Sequence, residues 1–281
     1  MTAYASNEPP VSQGLKRKPF GIRQLRAARP KGERLTMLTC YDASFAAVSC
    51  GAGVDMLLVG DSLGMVIQGH TSTLPVSLED IRYNTACVAR AAPSSMIIAD
   101  MPFASYQSSP EQAFQNAAVL MQAGAQMVKL EGGAWLASTV AFLTQRGIPV
   151  CAHLGLTPQS VNTLGGYTVQ GRGAAGQALI ADAKQLEQAG ADIVLVELIP
   201  SPLGAQLTSS LTVPTIGIGA GPDLTGQVLV VYDILNLTPG RKARFVKNYL
   251  AETGDIAAAL SLFVSEVKSG VYPGPEHGFE S

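Results

Sequence analysis

Asp61, Asp100, Glu131 and Glu197 share a setting: each closes a short apolar run that reads as a buried strand, namely Met56-Leu57-Leu58-Val59-Gly60, Met96-Ile97-Ile98-Ala99, Met127-Val128-Lys129-Leu130 and Ile193-Val194-Leu195-Val196. An acid at the mouth of a buried strand can do chemistry. Any one of them alone would read as a helix cap or a loop hydrogen bond, but three in successive strands point to a shared ligand. Asp61, Asp100 and Glu131 are the metal candidates, because a hard divalent cation takes carboxylate oxygens and no cluster of Cys and His competes. Mg²⁺ is the expected ion; it keeps positions open for water and a chelating substrate, which suits a 2-oxo acid held through its carboxylate and ketone. We expect Asp61 and Asp100 to reach the ion directly and the longer Glu131 to act through water.

Lys129 stands two residues before Glu131, so in a strand both point to one face. A buried ammonium requires an anionic partner, which we expect to be a substrate carboxylate ahead of a neighbouring acid. Ser62, between Gly60 and Gly64, offers a hydroxyl and close backbone N–H groups at the same mouth. Glu197 follows Val194-Leu195-Val196, so its surroundings should be apolar; desolvation would then raise its carboxyl toward a general base's range, suited to removing a proton beside a ketone. His153 ends the run Pro149-Val150-Cys151-Ala152 and either lines the site or serves structure.

Converging these groups requires parallel strands in one closed sheet, the arrangement that gathers chemistry at the C-terminal face of an α/β barrel. The segment Gln122-Ala123-Gly124-Ala125…Val128…Glu131 repeats as Gln188-Ala189-Gly190-Ala191…Val194…Glu197, one helix-turn-strand-acid unit reused. Further strands are expected over 35–41, 149–153, 215–218 and 228–231, which brings the count to eight. Ser77 ahead of Glu79-Asp80, and Ser109-Pro110-Glu111-Gln112, mark helix starts; Asp42 is a cap or a site residue. A helix is expected over 174–189. The fold is therefore read as α/β, a (β/α)8 TIM barrel over residues 21–281, with a capping segment near 21–28 and two extra C-terminal helices over 241–252 and 255–269. Residues 1–20, rich in Ser, Pro and Lys, are expected to form a mobile arm.

Bulk properties exclude several classes. A net charge of −2, with basic residues clustered only at the start, argues against nucleic acid. No apolar run is long enough for a membrane span and no secretory leader opens the chain, while Glu8 and Pro9-Pro10 fit an organellar transit peptide poorly; a cytoplasmic protein is expected. Cys40, Cys50, Cys87 and Cys151 are scattered and read as reduced packing residues rather than nucleophiles. Only 14% of residues are charged while 47% are apolar, against roughly 25% charged in an average soluble protein, so self-association is expected to cover surface.

Longer motifs carry a resemblance. Val59-Gly60-Asp61-Ser62-Leu63-Gly64-Met65, Gly69-His70-Thr71-Ser72-Thr73-Leu74-Pro75-Val76, Lys129-Leu130-Glu131-Gly132-Gly133, His153-Leu154-Gly155-Leu156-Thr157-Pro158-Gln159, Gly165-Gly166-Tyr167 with Gln170-Gly171-Arg172, and Ile216-Gly217-Ile218-Gly219-Ala220-Gly221 together resemble the 3-methyl-2-oxobutanoate hydroxymethyltransferases, over about 36–277. The resemblance implies a barrel of the phosphoenolpyruvate/pyruvate superfamily, cytoplasmic and homodecameric. It implies transfer of a hydroxymethyl group from 5,10-methylenetetrahydrofolate to 3-methyl-2-oxobutanoate, giving 2-dehydropantoate through a Mg²⁺-stabilised enolate, the first step toward pantothenate. By the same resemblance Asp61, Asp100 and Glu131 match the Mg²⁺ site, Asp61, Ser62, Asp100 and Lys129 match the oxo-acid contacts, and Glu197 matches the proton acceptor. Departures lie at the edges: a longer N-terminal arm, and Val231-Tyr232-Asp233 where some relatives carry histidine before the aspartate. Two rival readings stay open, a Mg²⁺-dependent 2-oxo acid lyase or mutase of the same barrel group that needs no folate, and an inactive barrel that binds an oxo acid. No spacing marks a site for a pterin or a glutamate tail.

Overall fold

The structure, a computed structural model, describes residues 18–240 and 242–280. Eight short strands, β1 (Leu35–Thr39), β2 (Met56–Val59), β3 (Met96–Asp100), β4 (Met127–Glu131), β5 (Val150–Gly155), β6 (Ile193–Glu197), β7 (Thr215–Ile218) and β8 (Gly226–Leu229), close into one barrel. Every pairing is parallel, and β8 returns to β1. The strands are apolar on both faces because one face fills the barrel and the other packs against helices.

Register decides which side chains meet. Partner residues in a parallel pair put their side chains on the same face, and residues two apart in one strand do likewise. Asp100 pairs with Lys129, Glu131 with His153, and Gly155 with Glu197. Stepping from Asp100 to Lys129, up two to Glu131, across to His153, up two to Gly155 and across to Glu197 keeps to one face throughout. That face is the barrel interior at its C-terminal mouth, the end where such barrels place their chemistry.

The helices start where the sequence predicts. Ser77 caps Leu78–Ala91 in a reciprocal box with Asp80, and Ser109 caps Pro110–Gln122. Asp42 is a cap: its Oδ1 accepts from the N–H groups of Ser44 and Phe45. Below the strands, Asp55 accepts from the Thr36 N–H and hydroxyl at 2.9 and 3.0 Å and pairs with Lys268, which ties β1 to the C-terminal helix Ile256–Ser269.

Boundaries differ from expectation, β1 ending at Thr39 rather than 41 and β5 at Gly155 rather than 153, and two further differences reshape the chain. The last strand runs over Gly226–Leu229 rather than 228–231, because Gly226 and Gln227 are needed to pair with both β1 and β7, and Val231–Ile234 turns into a helix. The helix expected over 241–252 is confined to Tyr249–Thr253, since the Asn248 side chain caps the Ala251 N–H and so starts it late. Residues 1–17 of the expected arm lie outside the described residues; Phe20 is buried, and its N–H donates to the Ser94 carbonyl at 3.0 Å. Among the described residues no helix is long and apolar enough to cross a membrane.

A methyl group on Gly226 would stand 2.4 Å from the Leu35 carbonyl oxygen and 2.8 Å from Ile216 Cδ1, where the barrel closes. Gly226→Ala should therefore lower unfolding free energy by about 1–3 kcal/mol, the usual range for overpacking. Chemical denaturation measures it, and a midpoint equal to wild type would refute tight closure at this position.

Candidate metal and proton-transfer site

The mouth holds a cavity of about 180 Å³ lined by Asp61, Ser62, Asp100, Lys129, Glu131, His153 and Glu197, so every residue singled out in the sequence is brought together. Oxygens of Asp61, Asp100 and Glu131 lie within 4.8 Å of one another, all three residues being buried. Asp61 itself lies two residues past β2, in a turn; its N–H donates to Asp100 Oδ2 at 3.2 Å. Such crowding of hard oxygen donors fits a divalent cation.

Lys129 is fixed between two of them. Its Nζ donates to Asp100 Oδ1 at 2.6 Å and to Glu131 Oε1 at 2.9 Å, so the neighbouring acids, placed second to a substrate carboxylate in the sequence reading, are its partners here. Burial alone would depress its ammonium, but Asp100, Glu131 and Asp61 outweigh burial and hold it well above the usual range. Burial and the adjacent carboxylates of Asp100 and Glu131 push Asp61 up, and burial raises Asp100 despite Lys129. Burial acts on Glu131 in the same direction, yet Lys129 and His153 prevail and bring it down to about 2. Lys129 thus bonds two of the three acids, while burial and the neighbouring carboxylates leave Asp61 and Asp100 shifted up.

Glu131 is also the most committed of the three. Oε1 takes Lys129 and His153 Nδ1, the latter at 3.2 Å, and Oε2 accepts from the Gln159 N–H at 3.0 Å. Asp61 Oδ2 accepts from Gln159 Nε2 at 2.9 Å. Ser62 Oγ lies 2.9 Å from the Tyr41 hydroxyl.

Glu197 differs from its predicted apolar setting. It sits at the rim with its side chain 17% exposed, and its Oε2 faces His153 Nε2 at 3.5 Å. That nitrogen has no hydrogen bond of its own. Burial and Lys129 depress the imidazole, but Glu131 and Glu197 on its two sides carry it up to about 9. A positive-φ Gly155 (φ 86°) allows this approach: a Cβ there would lie 2.3 Å from the Glu197 carbonyl oxygen. Tyr167, from the loop after β5, reaches over the mouth to Met65 Sδ at 3.6 Å.

Sequence reasoning missed Gln159 and Tyr106. Gln159 ties Asp61, Glu131 and the Met101 carbonyl together, and the Tyr106 hydroxyl donates to the Glu131 carbonyl at 2.9 Å while meeting Gln159 Oε1 at 2.8 Å. Neither carries charge, and only the short turn Pro158–Ser160 brings Gln159 inward. The four cysteines are free; Cys40, Cys50 and Cys151 are buried, and burial pushes the Cys40 and Cys151 thiols up to about 12, which removes them as nucleophiles.

The fold and site define a class, the (β/α)8 barrel with an acidic pocket at its mouth that could hold a metal ion. Solved structures share the fold: 2,3-dimethylmalate lyase, a PEP mutase/isocitrate lyase superfamily member, superposes with a TM-score of 0.58 at 19% identity over 74% of this chain and 80% of that one. Phosphonopyruvate hydrolase in complex with oxalate and Mg²⁺ gives 0.58 at 14% identity over 91% and 92%. Within that class the chain belongs to the ketopantoate hydroxymethyltransferase family, whose model matches residues 20–275. It is 59% identical to the 3-methyl-2-oxobutanoate hydroxymethyltransferase of Thiobacillus denitrificans over 93% of this chain and 100% of the relative. It is 56% identical to 3-methyl-2-oxobutanoate hydroxymethyltransferase 2 of Burkholderia lata over 92% and 95%.

Lys129→Met should strand three buried carboxylates. Removing one partner from such a network costs about 3–5 kcal/mol, read as a fall in the denaturation midpoint without added metal, with part of the loss recovered on adding Mg²⁺. Unchanged metal-free stability would disprove the dependence of the acids on this lysine.

Proposed function

We propose that the chain catalyses transfer of a hydroxymethyl group from 5,10-methylenetetrahydrofolate to 3-methyl-2-oxobutanoate, with consumption of water, giving 2-dehydropantoate and tetrahydrofolate. The observation that carries this reading is a carboxylate at the rim, Glu197, facing the same small cavity as three buried acids. A deep group of hard oxygens and a separate, more accessible base are what deprotonation beside a chelating ketone requires.

The donor set fits Mg²⁺ in chemistry and in charge, since one lysine faces three carboxylates. Asp61 and Asp100 would hold the ion, while Glu131, its oxygens engaged by Lys129, His153 and Gln159, would act through water. When bound, the ion supplies a Lewis acid that polarises the ketone and renders the C3 proton acidic.

The protein's own residues do the rest. Lys129 and Ser62 orient the oxo acid at the cavity floor and side, the lysine having one N–H beyond the two given to acids. Glu197 accepts the C3 proton, and His153 holds its carboxylate toward the pocket. Water opens the methylene bridge, supplying the hydroxyl oxygen and a proton to one folate nitrogen, and the deprotonated C3 bonds to that carbon as it leaves the other nitrogen, which takes the proton held by Glu197. The small cavity keeps bulk water from the carbanion until the donor is in place.

Assembly is part of the same proposal. The low charge content and the exposed side chains of Tyr83, Trp135 and Val271 support self-association, which we take to the homodecamer that the family resemblance implies. We further take residues 21–281 as one barrel domain and the enzyme as cytoplasmic, with neither nucleic acid nor membrane as partner.

In D₂O with Mg²⁺, wild type should exchange the C3 proton of 3-methyl-2-oxobutanoate, followed by proton NMR, and add a hydroxymethyl group once methylenetetrahydrofolate is present. Glu197→Gln should slow both at least about a hundredfold, the usual weight of a general base, while keeping its Mg²⁺ affinity. Exchange without transfer in wild type would favour the folate-independent lyase or mutase; full turnover by Glu197→Gln would remove this residue from the chemistry.

A further inference from the structure

A larger cavity, about 670 Å³, adjoins the 180 Å³ pocket and shares Met65, Tyr167, Glu197, Asp233 and Phe245 with it. The shared residues mark the junction, and Glu197 stands there. Thr238, Lys242, Arg244 and Phe279 line the larger cavity and not the smaller, so they form its outer part. The groove is therefore graded: carboxylates at the inner end, aromatic rings along the wall and cations beyond.

Local geometry supports a prepared surface. Leu198, directly after Glu197, is a non-glycine residue at φ 48°, a conformation that the surroundings must impose. Its N–H donates to the Ile218 carbonyl at 2.9 Å, and its own carbonyl accepts from the Gln170 N–H at 2.8 Å. This turn lets consecutive residues line the groove. Phe245 and Phe279 both pack close to Gly219, where a Cβ would meet them at 2.8 and 3.2 Å. Asp233 Oδ1 takes the Thr238 hydroxyl at 2.5 Å, which fixes the carboxylate with Oδ2 as the remaining acceptor. Lys242 Nζ donates to the Thr238 carbonyl, and Arg244 Nε to the Glu276 carbonyl at 2.8 Å with its guanidinium 5.9 Å from the Phe279 ring. Both cations bond main-chain carbonyls, and neither forms a salt bridge among the described residues.

We propose that this groove seats the one-carbon donor, a reduced folate, with its pterin at Asp233, its aminobenzoyl ring along Phe245 and Phe279, and its glutamate carboxylates on Lys242 and Arg244. The inference rests on the transfer reading above and assigns that reaction's second substrate to named residues. Size and chemistry both lead here. The inner pocket falls below the roughly 300–1,000 Å³ of sites for larger organic ligands, whereas the outer one lies within that range. A pterin presents N–H donors along one edge, and Asp233 Oδ2 can accept from one of them; an aromatic wall takes the flat middle of the molecule. Arginine and lysine recognise carboxylates. The transferable carbon lies between pterin and aminobenzoyl nitrogens, so this orientation brings it to the junction beside Glu197.

The test is calorimetric titration of tetrahydrofolate, in monoglutamyl and pentaglutamyl forms, into the full-length protein with Mg²⁺ and 3-methyl-2-oxobutanoate. Lys242→Ala and Arg244→Ala should each weaken binding about tenfold, the loss of one hydrogen bond to a charged group. The double variant should no longer favour the longer tail, while thermal midpoint and C3 proton exchange stay at wild-type values. Lys242→Ala, which gives up only a bond to a main-chain carbonyl, serves should Arg244→Ala fold poorly. Tetrahydrofolate affinity unchanged in Lys242→Ala and in the double variant, with exchange intact, overturns the groove assignment alone. Loss of exchange in folded variants also overturns it, since these residues would then serve the oxo acid. A wild type that fails to exchange the C3 proton brings down the transfer reading and this assignment together.

Discussion

Three buried carboxylates facing one buried ammonium are the constraint from which the rest of the site follows. Placing like charges this close in a medium of low polarisability is unfavourable, and a single lysine cannot neutralise them all. Lys129 bonds both Asp100 and Glu131, yet burial still pushes Asp61 and Asp100 up, while Lys129 and His153 together hold Glu131 down to about 2. With Lys129 and His153 both beside Glu131, the unrelieved crowding falls on Asp61 and Asp100. A divalent cation would relieve it with the ligand type such ions prefer, so the fit to a metal lies in the folded arrangement of these acids.

The barrel makes that imbalance sustainable. Asp100, Lys129, Glu131 and His153 sit on adjacent strands whose register is fixed by main-chain bonds. The repulsion cannot be relieved by moving one acid without breaking the pairing on both sides of its strand. Asp61 has more freedom, being in a turn, and it is this residue that is secured from elsewhere by Gln159 and by its own N–H to Asp100. Tyr106 then braces Gln159 and the Glu131 main chain from behind. These neutral groups orient the charged ones and leave the cavity face of the acids open.

Much of this was legible in the sequence because strand physics is periodic. An apolar run that stops at an acid specifies a strand, its end and the chemistry there, and the two-residue spacing of Lys129 and Glu131 specified a common face. The Gln122–Glu131 pattern repeated at Gln188–Glu197 showed one unit used twice, from which a closed parallel sheet follows. Other features depend on contacts that no local pattern encodes. Gln159 and Tyr106 are neutral and act across long separations in the chain. The late start of the helix at Tyr249 depends on a cap at Asn248, and the position of β8 depends on pairing at both edges, where Gly226 must fit against Leu35 and Ile216. The apolar run before Glu197 predicted an apolar neighbourhood; the chain turns sharply at Leu198 and places the carboxylate beside an imidazole at the rim.

That displacement of Glu197 has mechanistic weight. A base buried as deeply as the three acids would compete with them for the same cation, and a proton it gained would have no route outward. At the rim, 17% exposed, it lies outside the shared cluster of oxygens yet within reach of a ligand that occupies the cavity. His153 bridges the two regions, with Nδ1 on Glu131 and Nε2 toward Glu197, so the orientation of the base is coupled to the acid cluster through one rigid ring. In the proposed reaction, depth would separate two tasks that both require carboxylates: inside, acids crowded where a cation could compensate them; at the boundary, a carboxylate placed to meet the reacting carbon.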